Sequence, residues 1–262
     1  MTTGGAPSYE DLVAAWKALR GRGDVALREV ACAGASRTLL CADLVSDPRA
    51  PLVALAAGVH GDEPAAPWAL LSIVRDGLLD AACGYRIWPC TNPSGYARGT
   101  RENVDGHDVN RSFSRGGTTP ESRAILTSNR DRSFVLSLDL HEDFEADGFY
   151  CYEPVVEGCA PYGAHVLRAI DDAGYPVQEL HDAFDLGYDG AAHDVRTLER
   201  GRVLPDTAAE MRRHAGAWPY NISLLRRAAR RALTFETPRR CSWNDRVAMH
   251  RIAVTAALAR VA

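Results

Sequence analysis

The chain lacks the features that would place it in a membrane. No apolar run approaches the ~18 residues of a membrane span, and residues 1–7 have neither the charged start nor the apolar stretch of a secretory signal. An excess of positive charge is also missing, because the 30 Lys and Arg residues are outnumbered by 34 Asp and Glu and are dispersed along the sequence. We therefore expect a soluble, cytoplasmic protein with no membrane partner and no nucleic-acid partner.

The sequence has no C-x-x-C pair and no even, clustered set of cysteines. Both a disulfide framework and a thiolate zinc site are therefore disfavoured, and we expect reduced, mostly structural thiols. The 7 cysteines are Cys32, Cys41, Cys83, Cys90, Cys151, Cys159 and Cys241.

Internal repeats, low-complexity tracts and long linkers are absent, and apolar segments alternate with segments of helical periodicity. The run 52–57 is continuously apolar, which is typical of a central strand covered on both faces. Strands separated by helical crossovers predict an α/β fold, a single-domain three-layer α/β/α sandwich over residues 1–262 with a mixed, mainly parallel central sheet. The predicted strands are 38–44, 51–57, 85–90, 134–140 and 232–235.

Helical segments are indicated by spacing and by their starts. One begins with the capping-box-like Ser8-x-x-Asp11, and another with Thr118-x-x-Glu121, which has Pro120 in its first turn. Segment 91–117 has no periodicity and predicts a long loop, and such loops in compact domains are usually functional or disordered. For 143–219 we expect loops and short helices. The predicted helices are 8–20, 64–76, one from 118, 162–173, 207–214, 221–231 and 244–261.

Three of the predicted strands run directly into polar residues. These are His60-Gly61-Asp62-Glu63, His141-Glu142-Asp143 and Glu236-Thr237-Pro238. In open α/β sheets, ligands bind outside the carboxyl ends of the strands, so one site could collect all three segments. Imidazole nitrogen and carboxylate oxygen are zinc ligands, and His60, Glu63 and His141 supply three such donors. An H-x-x-E pair alone is weak support for a metal site, because such pairs also occur on surface loops.

Several separated motifs, taken in order, are more specific than any one of them. The chain contains H-G-D-E at 60–63, N-P-S-G-Y at 92–96, R-E-N at 101–103, G-H-D-V-N-R-S-F at 106–113, D-L-H at 139–141 and F-E-T-P at 235–238. This set resembles the zinc metallocarboxypeptidases of the carboxypeptidase A type and the related deacylases of N-acyl amino acids, such as aspartoacylase and succinylglutamate desuccinylase. The resemblance covers roughly residues 52–144 and resumes near residue 233.

The resemblance implies one Zn²⁺ per chain, held by His60, Glu63 and His141, with water as the fourth ligand. Zinc lowers the pKa of bound water to about 7 and polarises the scissile carbonyl. By similarity, Glu236 is the general base that takes the water proton and passes it to the leaving amine. Arg101 corresponds to the arginine that stabilises the oxyanion.

Three further positions match the family's motif at 106–113. Asn110 and Arg111 correspond to the pair that holds the substrate's free carboxylate, a task suited to the arginine fork. Asp108 corresponds to the carboxylate that orients His60 through its other ring nitrogen.

Other interpretations of these residues stay open at this point. Glu236 could form a strand-end salt bridge with Arg239 or Arg240, and Arg98 lies three positions from Arg101 in the same loop. Tyr220 lies where the family often has a catalytic tyrosine, but its surroundings match no family motif, so we assign it no role. The carboxylates Glu142, Asp143 and Glu145 are expected to be solvated.

The sequence therefore predicts a zinc carboxypeptidase that cleaves the amide next to a free C-terminal carboxylate in a small peptide, such as a short or cell-wall peptide. The first alternative is an N-acyl-amino-acid deacylase, which usually carries a β-rich domain after the catalytic glutamate. Here the residues after Glu236 predict a helix, which favours the peptidase. The second alternative is an inactive module that binds carboxylate ends, and the retention of all three ligands, Glu236 and Arg101 argues against it. The natural substrate and the oligomeric state do not follow from the sequence.

Overall fold

The computed structural model describes residues 6–21, 24–45, 47–180 and 195–261. The strands are β1 (Ala26–Val30), β2 (Leu39–Leu44), β3 (Leu52–Ala57), β4 (Gly84–Trp88), β5 (Leu136–Asp143), β6 (Tyr150–Tyr152), β7 (Val195–Glu199), β8 (Arg202–Pro205) and β9 (Ala232–Pro238). The helices are α1 (Tyr9–Lys17), α2 (Ala65–Arg75), α3 (Pro93–Arg98), α4 (Pro120–Ser128), α5 (Gly163–Asp172), α6 (Thr207–Arg213), α7 (Tyr220–Arg227) and α8 (Trp243–Leu258). Single 3₁₀ turns form at Ala18–Gly21 and Val109–Arg111.

The strands form one mixed sheet in the order β1-β2-β4-β3-β5-β9-β6-β8-β7. The central strands β4, β3, β5 and β9 are parallel, whereas β1 and β2 on one side, and the β9–β6 and β7–β8 pairs on the other, are antiparallel. The predicted α/β class, with a mixed sheet that is parallel at its centre, is confirmed.

Strand β3 shows why the fold has three layers. Its side chains alternate between two apolar cores, as successive residues of a strand must. Val53, Leu55 and Ala57 pack in a core with α1, α2, α5 and α8, whereas Ala54 and Ala56 pack in a second core with α4 and α7. A strand that is covered on both faces has no solvated side, which explains its uninterrupted apolar sequence.

Helix starts follow the local capping signals. Ser8 caps α1 and exchanges hydrogen bonds with Asp11, as the sequence indicates. Helix α4 is capped by Thr119 with Ser122, one residue later than the predicted Thr118 and Glu121. Pro120 lies in the first turn, as predicted. The helix therefore starts with a capping pair of the predicted type, one position later in the sequence.

The sequence interpretation missed four strands and one helix. β1 is an edge strand with charged, partly exposed residues, and β6, β7 and β8 are three to five residues long within the segment expected to hold loops and short helices. Helix α3 lies inside the expected loop 91–117 and is only six residues long. Elements this short carry too few side chains for a period to be read.

Among the described residues, no helix is both long enough and apolar enough to cross a membrane.

We predict that Leu55→Ala in β3 destabilises the protein by about 2–5 kcal/mol, because it leaves a cavity in a fully buried core. The measurement is the free energy of unfolding in urea. Leu78→Ala is the matched control, since Leu78 retains 37% of its exposure and should change that energy by less than about 0.5 kcal/mol. Equal effects of the two variants would contradict the assignment of β3 to the centre of the sheet.

Candidate metal centre and active site

The three residues proposed as metal ligands lie together at the carboxyl edge of the sheet. The Glu63 carboxylate lies between the two imidazoles, with Oε1 2.6 Å from His60 Nδ1 and Oε2 3.0 Å from His141 Nδ1. One ligand atom from each residue lies within 4.8 Å of the others, and all three side chains are buried. These donor types at this mutual distance fit a single divalent ion such as zinc.

Local sequence explains how the first two ligands reach this position. The turn after β3 begins at Gly58, whose φ of 63° favours glycine. Glu63 then lies two residues before α2. Between them, Gly61 packs so closely on the backbone of Gly95 that a Cβ atom at residue 61 would lie 1.9 Å from a carbonyl carbon. The H-G-D-E and N-P-S-G segments therefore interlock, and only glycine fits at residue 61.

Each imidazole has a carboxylate beside its second nitrogen. His60 Nε2 lies 3.5 Å from Asp108 Oδ1, and His141 Nε2 lies 3.1 Å from Asp139 Oδ2. Carboxylates in this position fix the ring orientation of metal-binding histidines and make the Nδ1 atoms better ligands. Asp108 was predicted for this place. Asp139 was missed, although the D-L-H motif places it two residues from His141 on the same face of β5.

The electrostatics of the cluster favour positive charge between the rings. Burial raises the pKa of Glu63, but His60 and His141 outweigh it and lower the pKa to about 2. Burial likewise acts to lower the pKa of His141, but Asp139 and Glu63 raise that pKa well above its usual value. Because metal ions displace protons from such ligands, the same surroundings favour a bound cation.

Glu236 lies beside this cluster on the neighbouring strand. It is the register partner of His141 in the parallel β5–β9 pair and of Tyr150 in the antiparallel β9–β6 pair. Burial raises its pKa well above the usual value; His141 acts to lower it, and Glu63 and Asp143 raise it further. Within the described residues no ion pair or hydrogen bond restrains its carboxylate. A protonatable acid next to the metal ligands is therefore available.

The salt bridges considered for Glu236 do not form among the described residues. Arg239 donates to the Asp62 carbonyl oxygen, and Arg240 pairs with Asp147. Both arginines contact other partners, so the strand-end salt-bridge interpretation is wrong.

Arg101 reaches the cluster from the other side. Its Nη1 lies 3.3 Å from His60 Nδ1, and its Nε and Nη2 donate to Asp108 Oδ2 at 3.2 and 3.0 Å. Its backbone is held by Asn92, whose side chain donates to the Arg101 carbonyl oxygen at 3.1 Å. Arg98, the competing candidate, instead lies near the Val104 carbonyl oxygen on the surface. The structure thus places Arg101, not Arg98, at the site.

Asn110 and Arg111 lie in the 3₁₀ turn that follows Asp108. The Asn110 backbone N–H donates to Asp108 Oδ1 at 2.8 Å, and its side-chain oxygen accepts from the Tyr220 N–H at 3.0 Å. Arg111 is exposed and donates to the Asn110 carbonyl oxygen at 3.1 Å. Asn110 is thus held at both its backbone N–H and its side-chain oxygen. The guanidinium of Arg111 faces a solvent-accessible cavity.

A cavity of about 310 Å³ is lined by the three proposed ligands and by Arg101, Asn110, Arg111 and Glu236. Segment 143–219, for which the sequence predicts loops and short helices, supplies the wall opposite the proposed ligands. Tyr150 in β6 donates to Asp143 Oδ2 at 2.6 Å, and its ring packs edge-on against Tyr152 at 5.5 Å. The lining residues of this wall are Tyr150, Tyr152, Pro154, Pro205, Glu210, Arg213 and His214.

The structure corrects the expectation for Glu142 and shows where Tyr220 lies. Glu142 is not solvated, because its carboxylate is fully buried and pairs with Arg246; Glu145 is exposed, as expected. Tyr220, left without a role, is a core residue that packs on Phe113 at 5.3 Å. Its hydroxyl is buried without a hydrogen-bond partner among the described residues and does not line the cavity.

Comparison with solved structures supports the fold assignment. A protein from Shewanella denitrificans described as a metallopeptidase superposes with a TM-score of 0.75 at 18% identity, covering 99% of this chain and 98% of that one. A corresponding protein from Shewanella amazonensis gives 0.74 at 20%, covering 97% and 92%. Carboxypeptidase A from Helicoverpa armigera gives 0.62 at 17%, covering 97% and 74%.

No protein-family model and no curated protein matches the chain. At identities of 20% and below, the similarity shows the fold alone, which is that of carboxypeptidase A-like metallopeptidases. The resemblance inferred from the ordered motifs is confirmed at this level.

We predict that the protein, purified without chelators, holds about one zinc ion per chain. Loss of a residue that hydrogen-bonds to a metal ligand typically weakens metal binding by roughly 10- to 100-fold. Glu63→Ala should weaken zinc binding by more than this, because it removes a proposed ligand itself. Metal analysis and zinc titration measure both quantities. Glu145→Ala, an exposed carboxylate in the same region, is the control and should bind as wild type. Absence of zinc from the untreated protein would contradict the site.

Proposed function

We propose that the protein is a zinc-dependent carboxypeptidase that hydrolyses the amide bond next to a free C-terminal carboxylate in short peptides. The observation that carries the proposal is the juxtaposition of two different kinds of acid on adjacent strands. Glu63 is locked between two imidazoles, whereas Glu236, the register neighbour of His141, has no ion pair or hydrogen bond to its carboxylate among the described residues. One acid is suited to hold a metal and the other to move a proton.

The donor set of His60, Glu63 and His141 fits zinc, and His60 and His141 each have a carboxylate behind the ring. A zinc ion at this place would polarise the scissile carbonyl and make an attacking water more acidic. The orientation of the two rings depends on Asp108 and Asp139, so the ligand geometry is set before substrate enters.

Glu236 acts as general base and then as general acid. Its carboxylate accepts a proton from the attacking water and delivers it to the nitrogen of the leaving amine, so that the amide bond breaks as a free amine is released. The burial that raises its pKa increases its affinity for that proton. Its position on β9, between β5 and β6, keeps it at the proposed ligands.

Arg101 and the 110–111 turn bind different negative charges of the substrate. Arg101 lies beside His60, where it is placed to stabilise charge developing on the carbonyl oxygen. Arg111 and Asn110 lie on the cavity wall and are suited to hold the terminal carboxylate. Both cationic groups come from one loop, and the Asp108 carboxylate ties that loop to His60.

The cavity volume supports small substrates. About 310 Å³ lies at the lower end of the ~300–1,000 Å³ that small-molecule sites occupy. This observation also supports the alternative, an N-acyl-amino-acid deacylase, because such substrates are short as well. The full-length similarity to proteins described as metallopeptidases favours the peptidase. A zinc-supplemented assay with peptides, γ-linked cell-wall fragments and N-acyl amino acids separates the two.

We predict that Glu236→Gln retains zinc but lowers kcat by about 100- to 10,000-fold, the usual contribution of a general base. The amide has nearly the same shape but cannot accept the proton. Zinc content and steady-state kinetics on the best substrate of the panel measure the two effects. Full activity in this variant would refute the role of Glu236.

We predict that Arg111→Ala raises KM for substrates with a free terminal carboxylate by about 10- to 100-fold, the value of a lost charge-assisted hydrogen bond. The control compares each peptide with its C-terminal amide, on which the variant and the wild type should differ little. An equal loss on both substrates would exclude a carboxylate-binding role.

A further inference from the structure

Glu142 is a buried carboxylate that the proposed reaction does not use. It follows His141 in β5, and its side chain is completely buried. A buried charge of this kind is expensive unless it is paired and hydrogen-bonded, so its partners indicate what it does.

Two contacts of Glu142 connect the two segments that carry the proposed metal ligands. Its backbone N–H donates to Glu63 Oε2 at 3.2 Å. Its side-chain Oε1 accepts from the backbone N–H of Ala65, the first residue of α2, at 2.6 Å. Glu142 therefore holds the carboxylate of one ligand and the helix that begins two residues after it, while its own chain neighbour is another ligand.

The remaining oxygen of Glu142 is paired with a third element. Arg246, in the first turn of α8, donates from Nη1 to Glu142 Oε2, and its side chain is 12% exposed. Helix α8 also packs on α2 and on β9. The ion pair thus ties the helix on the outer layer to the strand end that carries His141.

We propose that Glu142 and Arg246 are a positioning pair that sets the distance between the H-G-D-E segment and His141 before metal binds. The proposal rests on the proposed metal centre and adds two residues to it. Neither side chain is a ligand; each acts through the segments that it holds.

Charge explains why the pair works as a unit. Without Arg246, Glu142 would be a buried carboxylate without a cationic partner near the carboxylate of Glu63, and repulsion between the two would push the strand end from α2. Without the carboxylate, Arg246 would be a buried cation beside a site that must accept a divalent cation. Removal of both charges avoids either penalty and leaves only the loss of the tether.

The test is a double-mutant cycle on zinc affinity, using Glu142→Gln, Arg246→Met, the double variant and Arg246→Lys. Zinc dissociation constants are measured by competition with a metal-binding dye, and unfolding free energies are measured in chelator. Arg86→Met is the matched control, because Arg86 is a buried arginine paired with Asp43 at 2.7 Å and does not line the cavity.

We expect Glu142→Gln and Arg246→Met each to weaken zinc binding by about 10- to 100-fold, the double variant to lose no more than the worse single variant, and Arg246→Lys to recover part of the affinity. Arg86→Met should lower stability but leave zinc affinity unchanged. If Arg246→Met does not fold, Glu142→Gln, which keeps an acceptor for the Ala65 N–H, decides the question.

Wild-type zinc affinity in Glu142→Gln and Arg246→Met, with stability reduced as in Arg86→Met, would overturn the positioning role and leave the metal centre intact. A wild-type protein that binds no zinc would instead refute the metal centre itself, and the positioning pair with it.

Discussion

The site depends on the contacts of the Glu63 carboxylate with the imidazoles of His60 and His141. Both of its oxygens contact imidazole nitrogens, and one also accepts a backbone N–H from the end of β5. These contacts bring together His60 and His141, which are 81 positions apart in the sequence. With only one imidazole beside it, the buried Glu63 carboxylate would keep negative charge that repels the surrounding acids. The cluster is therefore stable only when both imidazoles contact Glu63.

The sheet provides this arrangement through its parallel centre. Strands β3, β5 and β9 are adjacent and point the same way, so the residues that follow β3 and the last residues of β5 and β9 lie at one edge. The proposed metal ligands and the proposed proton-transfer group come from segments at the ends of different strands but share this edge, as is general for ligands of open α/β sheets. The outer strands have a different task, since β6 and β8 build the opposite cavity wall.

Much of the fold and the ligand-bearing edge could be predicted from the sequence, for identifiable reasons. The buried strands are continuously apolar and end in polar residues, so β3, β5 and β9 were found with their site residues. Tyr150 and Glu142 could not be given their places, because contacts between distant segments decide them. Tyr150 lies in a three-residue strand, and Glu142 is buried with partners from two distant elements, the Ala65 N–H of α2 and Arg246 of α8. Asp139 had a signal in its spacing from His141, and that signal was overlooked.

The place of β9 in the sheet has a consequence for how the protein is made. This strand comes last in the chain, yet it lies between β5 and β6 and is the only strand pairing with both among the described residues. A nascent chain that stops before residue 232 therefore has two separate blocks of strands with an open slot between them. The slot closes only when β9 is in place, and Glu236, the proposed proton-transfer group, comes with the strand that closes it.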